Sequence, residues 1–228
     1  AHVWVVREDP KNTNLIYAGT ELGLYASYNG GGHWLSLGLK NLPTVAVHDI
    51  QIHPRENDLI LATHGRSFWI LDDATPIQQM SPEIAGSAMH LFDVRAGLRF
   101  SSGFSRYGIG NKLFAAQNPP TGALITYYLK DKPEDKTAVK LQILDNTGKV
   151  IREMTEISKE KGLNRAAWNL RHDPATRRKP LTDEEREFAA FTGGISGPQA
   201  LPGRYSAKLF VGDKTFEKPV EVRLDPTL

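Results

Sequence analysis

The sequence predicts an all-β protein in which two blades of an incomplete β-propeller precede an immunoglobulin-like (fibronectin III-like) β-sandwich that carries a short helical insertion. Three observations support this prediction: short apolar segments separated by turn residues, an internal repeat in the first half, and alternation of apolar and polar residues in the second half. The blades are assigned to residues 1–95, a linker to 96–111 and the sandwich to 112–228.

The first region consists of short strand-like segments that are separated by Gly, Asn, Asp or Pro. No segment before residue 75 has a convincing helical period. Residues 74–110 are expected to form a bridge of turns, within which residues 88–94 form a last strand that completes the second blade. The other predicted strands of this region are 3–6, 15–19, 23–28, 33–37, 47–52, 59–63 and 67–72.

An internal repeat relates the two predicted blades. The segment "DPKNTNLIYAGT", which begins at Asp9, aligns with "HPRENDLILATH", which begins at His53, at a displacement of 44 residues. A four-stranded propeller blade repeats at roughly 40–50 residues. Because two blades do not close a ring, the chain is expected to be a piece of a larger propeller or to pack against another molecule, including a second copy of itself.

The second region shows the alternation that is typical of strands with one buried face. Residues 139–144, 205–211 and 220–224 each place apolar side chains at every second position. Tight turns at 145–148 and 212–214 predict hairpins between neighbouring strands. About seven strands in this length are typical of an immunoglobulin-like sandwich.

One helix is predicted within the sandwich, in an insertion at residues 172–200. Thr182 has the character of an N-cap, and Glu185 follows it at the capping-box spacing. The insertion is rich in Gly, Pro and charge, which suits either a binding lid or a strap that packs against a neighbouring domain; we favour the strap.

Composition limits the classes of function. The 228 residues include no cysteine, so disulfides, thiolate metal sites and cysteine nucleophiles are excluded. The formal net charge of +2 gives no support for nucleic-acid binding, and no apolar run is long enough to span a membrane. We expect neither a cofactor nor a metal.

The segment "SYNGGGHW" is interpreted as a hairpin turn rather than a ligand cradle. Asn29 is suited to bond backbone N–H groups two residues on, Gly31 tolerates a positive φ, and Ser27 adds a local hydrogen bond. Trp34 is expected to bury its ring against the neighbouring strand. A phosphate-binding loop precedes a helix, whereas a strand-like segment follows this one.

With Asn29 at the position of the usual acid, "SYNGGGHW" resembles the Asp-box, or BNR repeat, of sialidases, xyloglucanase-type hydrolases, the sortilin family and photosystem II assembly factors. The segments "ATHGRSFWILDD", "NPPTGALITYYLK", "LQILDNTGKVIRE", "GLNRAAWNLRHDP" and "LPGRYSAKLFVGD" resemble, in this order, the C-terminal part of large bacterial exported proteins with sortilin-like propellers, a glycosyl-hydrolase-like group. The resemblance implies a secreted or periplasmic protein. It also implies a structural role for Ser27, Asn29, Gly31 and Trp34.

Three aspartates are weak candidates for catalysis of glycoside hydrolysis, which needs two nearby carboxylates. Asp49 lies between apolar neighbours, where burial would raise its pKa, although a hydrogen-bonded structural role is favoured. Asp72 and Asp73 are interpreted as capping a turn. The other candidate acids of the first region are Asp9, Glu21, Glu56 and Asp58. Arg7, Arg55 and Arg66 show no spacing that unites them as an arginine triad.

Histidines and aromatic residues give no distinct site in the sequence. His48 and His53 are expected on opposite faces of a strand, which disfavours a shared metal, and His64 is placed in a hairpin. Core positions are favoured over sugar-stacking positions for Trp4, Trp69 and Trp168, and one of Tyr127 and Tyr128 is expected to face inward; Tyr107 is a further candidate for stacking.

Three functions remain open at this point. The favoured one is a fragment without complete catalytic machinery, which serves as a scaffold that binds carbohydrate or polypeptide. The second is a part of a glycoside hydrolase that acts on polysaccharide. The third is a protein-sorting or assembly factor.

Overall fold

The computed structural model describes residues 2–39, 41–99, 120–175, 182, 184 and 197–225. The chain divides into two compact units, Ala1–Ser87 and Ala88–Leu228. Strands dominate both units, which confirms the all-β class.

The first unit contains two antiparallel sheets in which sequential strands are neighbours. The four-stranded sheet has the order β1-β2-β3-β4, and the three-stranded sheet has the order β5-β6-β7. Their strands are β1 Val3–Glu8, β2 Ile16–Thr20, β3 Gly23–Ser27, β4 Leu35–Ser36, β5 Val47–Ile52, β6 Leu59–Thr63 and β7 Phe68–Leu71.

The 44-residue repeat is visible in the backbone. Strands β1 and β5 start and end 44 residues apart, at Val3–Glu8 and Val47–Ile52. Each carries a register shift at the same point, between Val3 and Val5 in β1 and between Val47 and Asp49 in β5. The 44-residue repeat of the sequence is therefore also a repeat in the structure, since the limits of these two strands and the positions of their bulges are both 44 residues apart.

The two sheets of the first unit share one apolar core. Its members include Tyr17 and Leu24 from the first sheet and Ile50 and Leu61 from the second, all of which are buried. Gly19 lies where the sheets approach closely, because a Cβ built on it would come 2.5 Å from the Val47 carbonyl oxygen. The sequence places apolar residues on this side of each strand, and their burial holds the sheets together.

Two short helices occupy part of the segment predicted as a bridge of turns, so that prediction is wrong there. They are α1 Thr75–Gln79 and α2 Pro82–Gly86. Each has a proline in its first turn, where no N–H donor is needed, and the Ser81 hydroxyl accepts a hydrogen bond from the Ile84 N–H at 3.3 Å.

The strand expected to complete the second blade lies in the second unit instead. This strand, β8 (Met89–Leu91), pairs with β10 (Ala123–Leu129) through contacts such as Leu91 opposite Tyr127. Met89 and Leu91, the end residues of β8, are buried and belong to the core of the second unit. Burial against this core therefore outweighs proximity in sequence to the first unit.

The second unit has a three-stranded sheet of order β13-β10-β8 and a five-stranded sheet of order β12-β11-β14-β15-β9. The predicted linker contains a strand, β9 (Gly97–Arg99), which pairs in parallel with β15 (Lys214–Leu224). Residues 100–111 of the linker lie outside the described part of the chain. The remaining strands are β11 Val139–Leu144, β12 Val150–Met154, β13 Gly162–Trp168 and β14 Gly203–Val211.

One core joins the two sheets of the second unit. It includes Ile125 and Trp168 from the smaller sheet and Leu141 and Leu209 from the larger one. The alternation in β11 is observed as buried and half-buried positions in turn. The expected inward position of one adjacent tyrosine is confirmed, because Tyr127 is buried.

The structure describes the two ends of the insertion at 172–200, residues 172–175 and 197–200. The His172 N–H donates to the Pro198 carbonyl at 2.9 Å, so the chain leaves and re-enters the unit at one place. Apart from Thr182 and Glu184, the helix predicted from Thr182 onward lies outside the described residues, as does Tyr107.

Candidate functional site

A row of four rings lies on the surface of the first unit. The rings of His2 and Trp4 meet edge to face with centroids 4.5 Å apart, Trp4 lies against His48 at 4.3 Å, and His48 stacks on His64 at 5.1 Å. Trp4 is 46% exposed, so the expectation of a core position for it is wrong. We call these four residues the ring row.

The two central rings stand at equivalent points of the repeat. Trp4 is the extra residue of the β1 bulge, and His48, 44 residues later, is the extra residue of the β5 bulge. A bulge turns a side chain out of the regular alternation of its strand. The bulges therefore explain why rings expected to be buried or separated lie together at the edges of the two sheets.

An ion pair joins the same two edge strands. The Arg7 guanidinium donates to the Asp49 carboxylate at 2.8 Å, and the Gln51 amide donates to the other carboxylate oxygen at 3.1 Å. The Gln51 hydrogen bond, with further help from Arg7, lowers the pKa of Asp49. The expectation that burial raises this pKa is therefore wrong, because the side chain is 44% exposed.

The loop that resembles an Asp-box satisfies its polar groups internally. The Asn29 side-chain oxygen accepts from the His33 N–H at 2.8 Å and from the Ser27 hydroxyl at 3.0 Å, and the Ser27 oxygen accepts from the Gly31 N–H at 2.8 Å. The Asn29 bond thus reaches four residues on rather than two. Gly31 has φ +97°, as the turn prediction requires.

Trp34 does not bury its ring against a neighbouring strand, which corrects that expectation. The side chain is 41% exposed, and its ring lies over Gly31, where an added Cβ would be 3.9 Å from the ring. The following strand, β4, is two residues long and lies at the edge of its sheet, so it offers little surface to cover an indole.

Asp73 is buried and shapes the turn into α1. Its carboxylate accepts from the Thr75 N–H at 3.1 Å and from the Thr75 hydroxyl at 2.6 Å, while its own N–H donates to Asp58 at 2.9 Å. Asp72 is half-buried and also has interaction partners. The contacts of Asp73 agree with its interpretation as a turn cap, whereas the same role for Asp72 stays a prediction.

A buried polar network that the sequence did not reveal lies beside the core of the first unit. One Asp9 carboxylate oxygen accepts from the Tyr17 hydroxyl and from the Gln78 amide, both at 2.9 Å, and the other accepts from two backbone N–H groups. Asn57 exchanges two hydrogen bonds with Gln78, at 2.9 and 3.0 Å. The Asp9 carboxylate thus accepts four hydrogen bonds, from the Tyr17 hydroxyl, the Gln78 amide and two backbone N–H groups. It therefore serves structure rather than ligand binding.

The remaining candidates are dispersed. His53 accepts the Glu56 N–H at 3.0 Å in a turn, and Arg55 pairs with Glu56 at 2.6 Å. Trp69 is half-buried, and its indole N–H donates to the Arg66 carbonyl at 3.0 Å. In the part of the chain that the structure describes, no group of three or more His, Asp or Glu side chains is placed to hold a metal ion, and no helix is long and apolar enough to cross a membrane.

No protein-family model matches this sequence, and no curated protein matches it. A solved structure with detectable similarity is the extracellular domain of a protein from B. thetaiotaomicron described as a one-component system, at 10% identity and a TM-score of 0.27. The match covers 98% of this chain and 25% of that one, so this chain spans about a quarter of the length of that solved extracellular domain. A likeness at this level does not identify a shared fold.

Proposed function

We propose that this chain is the C-terminal part of an exported β-propeller protein of the BNR/Asp-box, glycosyl-hydrolase-like group and that it acts as a carbohydrate-binding scaffold. The observation that carries the binding function is the ring row, with a 46% exposed Trp4 and the Arg7–Asp49 pair on the same two strands. Exposed rings offer apolar faces to the C–H groups of a sugar, and adjacent amide and charged groups bond its hydroxyls.

Two observations support the propeller interpretation of the first unit. The sheets are sequential antiparallel meanders whose first strands repeat at 44 residues with equivalent bulges. The loop between β3 and β4 closes through Ser27 and Asn29, as an Asp-box turn does. In a propeller, first strands lie nearest the central channel, which is where the ring row would then be.

The immunoglobulin-like interpretation of the second unit rests on a tyrosine near the start of a strand. The Tyr205 hydroxyl donates to the Leu201 carbonyl, four residues upstream, at 2.8 Å, which is the pattern of a tyrosine corner. The Tyr205 ring also meets the buried Trp168 edge to face at 5.3 Å.

The hydrolase alternative finds little support at Asp49. A general acid in glycoside hydrolysis needs a raised pKa so that it holds a proton near neutral pH, whereas the Gln51 and Arg7 contacts lower the pKa of Asp49. Binding is therefore the proposed function, and hydrolysis is an alternative that the experiments below can detect.

The test is glycan binding by the full chain and by two tryptophan variants. Xyloglucan, chitin and sialyllactose oligosaccharides are titrated calorimetrically after an array screen. Trp4→Ala is expected to weaken binding at least about tenfold, because a stacked aromatic ring is lost. Trp34→Ala, which removes an indole of similar exposure from the Asp-box-like loop, is the matched control and is expected to change affinity less than about twofold.

Other results would replace this function with another. Equal losses in both variants, or no glycan bound, would contradict the ring row as a sugar site. Specific peptide binding without glycan binding would favour the sorting or assembly factor. Hydrolysis of aryl glycosides by the isolated chain would favour the hydrolase.

A further inference from the structure

The two sheets of the first unit match each other position by position. We call β1–β4 the first sheet and β5–β7 the second sheet. Strands β1 and β5 start 44 residues apart, and β2 and β6 start 43 residues apart, at Ile16 and Leu59. All five registered pairs between β1 and β2 have an equivalent between β5 and β6 at these displacements. One such row is Val5, Gly19 and Leu24 in the first sheet, and its equivalent is Asp49, Ala62 and Phe68 in the second.

This equivalence shows that the two sheets pack against each other through opposite faces. The face of the first sheet that packs against the second carries Leu24 and Ala26, which are both buried. Their equivalents are Phe68 and Ile70, which are 71% and 60% exposed on the outer face of the second sheet. The outer face of the second sheet is therefore the face that, in the first sheet, a neighbouring sheet covers.

The converse relation holds for the outer face of the first sheet. Val47 and Ile50 lie on the face of the second sheet that packs against the first, and both are fully buried. Their equivalents, Val3 and Val6, are about half exposed on the outer face of the first sheet. Each outer face thus carries apolar side chains at the positions that are buried where the two sheets meet.

The packing between the two sheets can therefore be repeated at the outer faces. In repeat architectures each unit contacts only its neighbours, and the same contact recurs along the stack. This chain carries both halves of such a contact, one around Phe68 and Ile70 and the other around Val3 and Val6. The two halves lie on opposite sides of the pair of sheets, so they meet between two molecules and not within one.

We propose that a second copy of this chain covers the outer face of the second sheet with the outer face of its own first sheet, head to tail. This contact continues the packing that joins the sheets within the unit, and it is independent of sugar binding at the ring row. Within the unit Gly19 approaches Val47, so Ala62 of one copy meets Val3 of the next. A contact between unlike faces is heterologous and adds further copies until a ring closes or a fibre grows.

The test mixes two variants of the full chain, each with one blocked face. Val6→Glu places a charge on the outer face of the first sheet, and Phe68→Glu places one on the outer face of the second, where burial in a contact would be costly. In sedimentation velocity the wild-type chain is expected to form larger species as its concentration rises, and each variant alone is expected to stay monomeric. Equal amounts of both variants are expected to form a dimer and nothing larger, because a single intact pair of faces remains. Leu201→Glu, at a 70% exposed leucine of the second unit, is the control and is expected to behave as the wild type does.

Cysteine variants test the register of the contact. Because the chain has no cysteine, Val3→Cys and Ala62→Cys each introduce a single thiol. Oxidation of their mixture is expected to give a disulfide-linked dimer in higher yield than oxidation of either variant alone, since a disulfide forms only between closely placed residues. Leu201→Cys in place of Ala62→Cys is the control and is expected to give no such increase.

Three results would overturn the proposal. A wild-type chain that stays monomeric at every concentration would exclude a second copy as the occupant of the face. Association of the Val6→Glu variant by itself would show that two like faces meet, and a mixture of the two glutamate variants that stays monomeric would show that the unlike faces do not. If a glutamate variant fails to fold, the cysteine variants decide, and equal yields from the mixture and from Ala62→Cys alone would contradict the head-to-tail contact.

Discussion

The neighbours of Asp49 favour its charged form, and this has a defined pH dependence. The hydrogen bond from Gln51 is the largest cause of the lowered pKa, and Arg7 adds to it. A carboxyl whose pKa is lower in the folded state stabilises the fold above its ordinary pKa, and this contribution is lost as the pH falls through the folded pKa. Because Asp49 is 44% exposed, solvent screening keeps the contribution small.

We expect an NMR titration to place the pKa of Asp49 below its ordinary value of 3.8. Gln51→Ala should raise this pKa, because the strongest hydrogen bond to the carboxylate is removed. Gln142→Ala, in the second unit, is the control and should leave it unchanged. An Asp49 pKa that does not respond to Gln51→Ala would show that the amide does not hold the carboxylate.

Single residues also mark where sequence reasoning reached its limit. Regular strand alternation places His48 and His53 on opposite faces, and the bulge at His48 breaks this alternation, as the bulge at Trp4 does in β1. A bulge has no compositional signal of its own here, so exposure of Trp4 was not predictable. The roles of Asn29 and Gly31 in the turn were predictable because their backbone chemistry is local.

At the level of elements, the sequence predicted strands well where alternation or turn residues bounded them. The predicted and observed limits coincide for β5, β6 and β11. Helices α1 and α2 were missed because five residues are too few to show a helical period, although Ser81 followed by Pro82 is a recognisable cap. The pairing of β8 was missed because it depends on a strand more than thirty residues later.

Close approach of the two sheets in the first unit predicts the effect of one substitution. A methyl group on Gly19 would lie 2.5 Å from the Val47 carbonyl oxygen and 2.6 Å from a Val5 methyl carbon. Gly19→Ala is therefore expected to lower the free energy of unfolding by about 1–3 kcal/mol, as overpacking does. Urea denaturation followed by tryptophan fluorescence measures this change.

The control is Gly86→Ala, at the end of α2, where an added methyl group meets open space. It should alter the free energy of unfolding by less than about 0.5 kcal/mol. Equal stability of the Gly19→Ala variant would mean that the sheets separate at little cost, contrary to a shared close-packed core.

At the level of the whole molecule, the three-stranded sheet of the first unit exposes apolar residues on the face away from its core. Phe68 is 71% exposed and Ile70 60% exposed. Ala62 and Ile60 are their cross-strand neighbours and are half-buried. Exposed apolar faces of this kind are typical of interaction surfaces, and the packing of a further blade or a second copy here stays a prediction.

We expect the isolated chain to self-associate through this face, as detected by sedimentation velocity at increasing concentration. Combined Phe68→Ser and Ile70→Thr substitutions should shift the chain towards monomer, because apolar surface is removed from the contact. Leu201→Ser, which removes an equally exposed leucine from the second unit, is the matched control. A monomer at all concentrations, or association unaffected by the paired substitutions, would contradict this role of the face.

The polar network around Asp9 has a consequence for the order in which the first unit forms. The bond from the Gln78 amide to Asp9 joins residues 69 positions apart, and the bond from Asn12 to the Gln78 carbonyl spans 66. Such contacts form after the intervening chain has been ordered, because loop closure costs entropy before the contact is made. These bonds tie the loop after β1 to α1, which closes the first unit, so we expect them to be lost when either end of the unit opens.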